Sequence, residues 1–76
     1  MTLKNLPVGK SGTITAVGGE GLLRCRLLDM GLIPKTTVRV EKIAPLGDPI
    51  ELRVRDYALS LRKEAARNIQ VEVKDV

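Results

Sequence analysis

Residues 44–57 read Ala-Pro-Leu-Gly-Asp-Pro-Ile-Glu-Leu-Arg-Val-Arg-Asp-Tyr. Pro45 and Pro49 each fix φ at about −65° and remove a backbone donor, so the stretch between them cannot carry a sheet ladder. Gly47 and Asp48 are residue types that tolerate the positive φ of a tight reversal. The chain alternates on both sides of this turn. Val38 and Val40 oppose Arg39 and Glu41 before it, and Ile43 continues the apolar face. Ile50, Leu52 and Val54 oppose Glu51, Arg53 and Arg55 after it. A period of two marks half-buried strands. The reading is a stiff hairpin joining strands 37–43 and 50–55, with the apolar Leu46 exposed at its tip. A softer connector would have turned the chain equally well, which points to use of this loop's shape.

Outward from the hairpin, the chain stays in short elements. Leu3, Leu6 and Pro7 form an irregular opening arm, and Gly9 and Gly12 are turn residues. Residues 13–17 read as a first strand, with Ile14 and Ala16 against Thr13 and Thr15, broken by Gly18-Gly19. From Glu20 to Met30 the period lengthens. Leu23, Leu27 and Met30 fall on one helical stripe, and Cys25, between Arg24 and Arg26, reads as a small buried hydrophobe. Gly31 stands where a helix needs a left-handed residue, Leu32 can fold back on the last turn, and Pro34 prevents a restart. Residues 57–61 form a further strand with Leu59 and Leu61 inward. Residues 62–68 supply a single helical turn, and Ile69, Val71 and Val73 alternate in a last strand.

The predicted fold is mainly β: a small five-stranded SH3-like barrel. It carries one α-helix between strands 1 and 2 and a short helical turn before the last strand. The barrel is expected to remove the open sheet edges, and the helix to close one end of it. A chain of 76 residues forms one domain, 1–76, near the lower limit for an unstapled core. That core must be aliphatic, because the sequence holds one Tyr and no Phe or Trp.

Composition argues against several classes of function. No His is present and Cys25 is the single Cys, so neither an internal disulfide nor a soft-ligand metal site is expected. The carboxylates are dispersed and lack the alternating pattern of a hard-cation loop. Ser11 and Ser60 have no neighbouring base, and the glycines lack phosphate-loop spacing. The chain reads as a non-enzyme with no cofactor and no bound metal. No run approaches the roughly 18 apolar residues needed to span a bilayer, and no apolar leader opens the chain. A cytoplasmic protein is expected.

The net charge of +4 favours acidic partners. Arg39, Arg53 and Arg55 should share one outer face, with Arg62, Lys63 and Arg67 nearby. Single-strand binders stack bases on aromatic rings, however, and only Tyr57 is available. Glu41 and Glu51 also dilute the basic face, so nucleic acid is not the expected partner. A proline-rich ligand needs an aromatic groove that this composition cannot build. Protein recognition through an aliphatic surface near Leu46, with Leu22 and Leu28 outside the helix's core stripe, fits better.

Three segments carry a family resemblance: Leu27-Leu28-Asp29-Met30-Gly31-Leu32-Ile33-Pro34 with Thr36, then residues 44–50, then Leu59-Ser60-Leu61-Arg62-Lys63-Glu64-Ala65 leading to Ile69 and Val71. In this order and spacing they resemble FeoA, the small ferrous iron transport protein A family. The resemblance implies an SH3-like barrel and a role in ferrous iron uptake beside the membrane permease FeoB, which carries a cytosolic GTP-binding domain. A similar domain is fused to metal-dependent repressors of the diphtheria-toxin-repressor class. The family label of transition-metal binding finds few ligands here, so the link to iron is read as belonging to the partner's pathway.

On this resemblance the chain is expected to dock on the permease or its GTP-binding domain, without inserting into the membrane; weak self-association is left open. The candidate partner surface is Arg24, Leu28 and Asp29 on the helix, Leu46, Gly47 and Asp48 in the loop, and Arg55 with Tyr57. The alternatives are a nucleic-acid-binding barrel and a metal-responsive regulatory module. Two departures stand out. The family often has glycine at position 35, where Lys35 favours a type I turn, and commonly has glycine at position 56, where Asp56 is expected to enter the left-handed region.

Overall fold

The computed structural model describes residues 1–74. Its elements are β1 (Ser11–Val17), α1 (Gly21–Asp29), β2 (Thr37–Ile43), β3 (Ile50–Val54), β4 (Tyr57–Leu61), α2 (Lys63–Ala66) and β5 (Ile69–Val73). The strands form one antiparallel sheet in the order β4-β3-β2-β1-β5. The sequence-derived order of strands and helices is therefore the observed one. Inside the curled sheet sits an aliphatic core of Ile14, Val38, Val40, Ile50, Leu52, Val54, Leu61, Ile69 and Val71, with Leu27 and Leu32 from the helix end.

The outer strands do not close on each other. No hydrogen-bonded pairing joins β4 to β5, which corrects the expectation that the barrel abolishes its edges. α2 connects the two strands in the chain, with Ala66 fully buried. The opening arm is also more ordered than predicted. Leu3–Asn5 form a 3-10 turn, Leu3 and Leu6 are buried, and Thr2 bridges Gln70 while Val71 N–H donates to Met1 C=O at 2.8 Å. The arm thus covers part of the β5 edge.

Two bulges break the strict alternation read from sequence. In β1 the register shifts between Ile14 and Ala16, so Ile14 and Val17 are both buried and Ala16 is exposed. In β2 the shift lies between Val40 and Lys42, which turns Ile43 to the side of its buried partner Ile50, as predicted, although at the strand end Ile43 stays 37% exposed. An extra residue on one strand reverses which side its followers face.

The helix begins later and buries less than its sequence stripe implied. Glu20, not Gly19, is the N-cap, and no side chain caps the helix. Leu27 is its one buried residue, with Leu28 and Met30 packed partly against the core. Leu23 and Cys25 are exposed, against expectation. Only the last turn buries an apolar side chain against the sheet, so Leu23 and Cys25, earlier in the helix, face solvent. The helix stop is as predicted. Leu32 N–H donates to Leu27 C=O at 3.1 Å and Gly31 N–H to Leu28 C=O at 3.0 Å, the paired bonds of a Schellman motif, with Gly31 at φ 92°. Leu32 then packs in the core beside Leu27.

Candidate functional site

The predicted partner residues divide between the two ends of β3. At one end the 44–49 loop makes a compact turn. Gly47 N–H donates to Ala44 C=O at 2.7 Å and Ala44 N–H to Pro49 C=O at 3.0 Å, with Gly47 at φ 91°. Leu46, at the centre of the turn, is 97% exposed. Beside it a largely apolar cleft of about 440 Å³ is lined by Ile43, Ala44, Pro45 and Pro49, together with Lys42, Glu51 and Ser60.

Asp48 belongs to the internal structure of this loop. Its Oδ1 accepts the backbone N–H of Lys63 at 3.0 Å, and its Oδ2 lies 3.9 Å from Arg62 Nη1. Arg62, the N-cap of α2, makes no side-chain cap bond itself. A carboxylate delivered from the hairpin thus satisfies an N–H at the start of α2 that would otherwise lack a partner. The loop is held by the helix that follows β4.

At the other end of β3, Tyr57 anchors the helix end. Its hydroxyl donates to the carbonyl of Met30. A Cβ at Gly31 would displace that hydroxyl, so contact as well as its left-handed φ favours glycine there. Leu28 is half-buried against the core and Asp29 is exposed. Arg24 is exposed, and its Nε donates to Val17 C=O at 3.2 Å.

One continuous surface running from Leu46 to Tyr57 is therefore not what the fold builds. The five residues of β3 place the two groups roughly 15–20 Å apart at the strand's rise per residue. Asp48 and Tyr57 spend their polar atoms inside the molecule. Of the predicted set, Leu46 remains the exposed apolar residue beside a cleft.

The second end holds a cleft that joins the predicted arginine face of Arg39, Arg53 and Arg55 to Lys35 and Thr36, which the sequence did not connect with it. About 390 Å³ in volume, it is bounded by Lys35, Thr36, Thr37, Arg39, Arg53 and Arg55. Lys35 does not make the type I turn predicted for it. Thr36 N–H donates to Ile33 C=O at 3.2 Å around Pro34 and Lys35, and Lys35 takes φ 75°, the type II arrangement. Bonds from Lys35 N–H to Ile14 C=O (2.7 Å) and from Ile14 N–H to Thr36 C=O (2.8 Å) fix it there. In the two-residue β3–β4 turn the left-handed residue is Arg55, at φ 57°, not Asp56. Arg62, predicted beside the arginine face, lies instead at the Asp48 end.

Among the described residues no group of three or more Cys, Asp or Glu is placed to hold a metal ion. No described helix is long and apolar enough to cross a membrane.

Comparison with known proteins places these features in a wider set. The family model described as FeoA domain matches residues 1–73. An Fe(2+) transport protein A/Fe(2+) transporter FeoB fusion protein of Porphyromonas gingivalis is 42% identical over 73 residues, which are 96% of this chain and 9% of that protein. The chain thus spans less than a tenth of this relative. The solution structure of iron(II) transport protein A from Clostridium thermocellum superposes with a TM-score of 0.91 at 36% identity, over 96% of this chain and 45% of that one. The zinc complex of Stenotrophomonas maltophilia FeoA, described as a procaryotic SH3 domain protein, gives a TM-score of 0.84 at 26% identity, over 95% and 89% of the two chains.

Proposed function

Because this chain belongs to the FeoA family, we propose that it serves ferrous iron uptake as a cytoplasmic accessory domain that acts by contact with a FeoB-type permease or its GTP-binding domain. One observation carries the reading: in the P. gingivalis relative a domain 42% identical to this one is continuous with FeoB in a single polypeptide. Fusion holds two modules at a high effective concentration without requiring strong contacts between them. A separate chain must reach the same partner through a surface of its own. Leu46, almost wholly exposed on a turn fixed by Pro45, Pro49 and the Asp48–Lys63 bond, suits that role, with the apolar cleft beside it. A rigid loop loses little entropy on docking.

The function needs no chemistry from this chain. Its contribution is to adjust transport or assembly of the permease. Co-purification of the chain with its cognate permease, together with uptake of labelled ferrous iron, tests the reading. Association that Leu46→Asp abolishes, with a parallel fall in uptake, supports it. Absence of association with the intact permease in detergent or nanodiscs overturns it.

A further inference from the structure

Among the described residues, the cleft at the helix-end side of the sheet is lined by Lys35, Arg39, Arg53 and Arg55 and by no acid. Arg39 and Arg53 are direct cross-strand partners on β2 and β3. Like charges placed opposite each other destabilise a sheet. Glu41 relieves one of them, 3.2 Å from Arg53 Nε. Lys35, Arg39 and Arg55 have no acidic partner among the described residues.

Backbone conformation adds a second, independent observation. Lys35 and Arg55 are the two non-glycine residues held at positive φ among the described residues, and both border this cleft. Glycine would occupy either position without steric cost. Strained backbone that persists is a pointer to function. Here the strained positions both carry cations to the same place. In the same wall Thr36 is 3% exposed, and its Oγ1 is the one buried side-chain polar atom among the described residues without a hydrogen-bond partner.

We propose that this cleft docks a short acidic segment of a protein partner, whose carboxylates pair with Lys35, Arg39 and Arg55. The charge pattern selects a peptide over nucleic acid. Further along the same face Lys42 pairs with Glu51 at 3.5 Å and Glu41 with Arg53, so the basic field ends within the cleft instead of forming a track for a phosphate backbone. The single aromatic ring, Tyr57, has its hydroxyl committed to Met30, and no platform for stacked bases exists. A volume of about 390 Å³ exceeds that of one carboxylate and suits adjacent acidic side chains. This surface is distinct from the Leu46 loop and requires no assumption about the permease.

The test is an NMR titration of the isotope-labelled chain with blocked tetraglutamate, with inorganic phosphate and oligothymidine as separate arms. Tetraglutamate is expected to shift the amides of residues 35–39 and 53–55, with affinity that weakens as salt is raised. Lys35→Gly and Arg55→Gly remove charge at positions that glycine fits, so the double variant should keep or raise its thermal midpoint. Its tetraglutamate affinity should fall roughly tenfold at low salt, a scale consistent with losing two exposed ion pairs. Unchanged affinity in the folded double variant overturns the proposal, as does a shift map centred on residues 44–48. Tighter binding of oligothymidine would replace the acidic segment with nucleic acid, and tighter binding of phosphate would replace it with a free anion; either result overturns it.

Discussion

The hydroxyl of Tyr57, the first residue of β4, donates a hydrogen bond to the backbone carbonyl of Met30, the C-cap of α1. The two residues are 27 positions apart. Through this bond the turn between β3 and β4 holds the end of the helix, and the missing side chain of Gly31 leaves room for the phenol.

Tyr57→Phe should therefore lower the unfolding free energy by about 1 kcal/mol, the net value of one such bond. Gly31→Ala should cost more, because a left-handed alanine costs about 1–2 kcal/mol and its Cβ also displaces the hydroxyl. The double variant should cost less than the sum, since removing the hydroxyl relieves part of the collision. Denaturant unfolding of the three variants measures this coupling, and strict additivity would show that the two residues do not compete for one space.

Asp48→Ala should cost about 1 kcal/mol, the usual value of a lost helix cap. The exposed ion pair with Arg62 adds little to this. Hydrogen exchange should quicken first at the amide of Lys63 and its neighbours in α2, with β2 and β3 unchanged. Equal exchange at Lys63 in both proteins would exclude the capping role.

Leu46→Ala removes a side chain that is 97% exposed, so stability should change by less than about 0.5 kcal/mol. Association with the cognate permease should nonetheless weaken. Thermal unfolding and co-purification, run on the same preparation, separate the two effects. A variant that binds the permease as well as the parent does would exclude the loop tip from the contact.

Lys35→Gly should raise stability by roughly 0.5 kcal/mol. Relief of a left-handed lysine is worth about 1–2 kcal/mol, partly offset by the greater freedom of glycine in the unfolded chain. Chemical denaturation reads the sign directly. A loss of stability would mean that the aliphatic stem of Lys35 packs more usefully than its conformation costs.

The hairpin, the order of strands and helices, and the aliphatic core are legible in the chain. These follow from signals local to each segment. Pro45 and Pro49 stop a ladder wherever they stand, alternation at Ile50, Leu52 and Val54 selects a face, and Gly31 with Leu32 writes the helix stop into consecutive residues. The bulges were less legible, because a single inserted residue in β1 or β2 leaves no distinctive residue type behind. Nor could the stripe of Leu23, Leu27 and Met30 disclose that only the helix's last turn buries apolar side chains against the sheet.

The roles of the candidate site residues emerge only in the folded chain. Asp48 reads as a turn residue, yet it caps a helix 15 positions away. Tyr57 reads as a partner-facing residue, and the structure adds that its hydroxyl holds the helix end. Lys35 and Arg55 lie in separate turns and reach one cleft only because β2 and β3 pair in the register that sets Val38 opposite Val54. Local propensity acts between neighbours in the chain. Charge, capping and close approach act between neighbours in space, and the folded sheet is what makes distant residues neighbours.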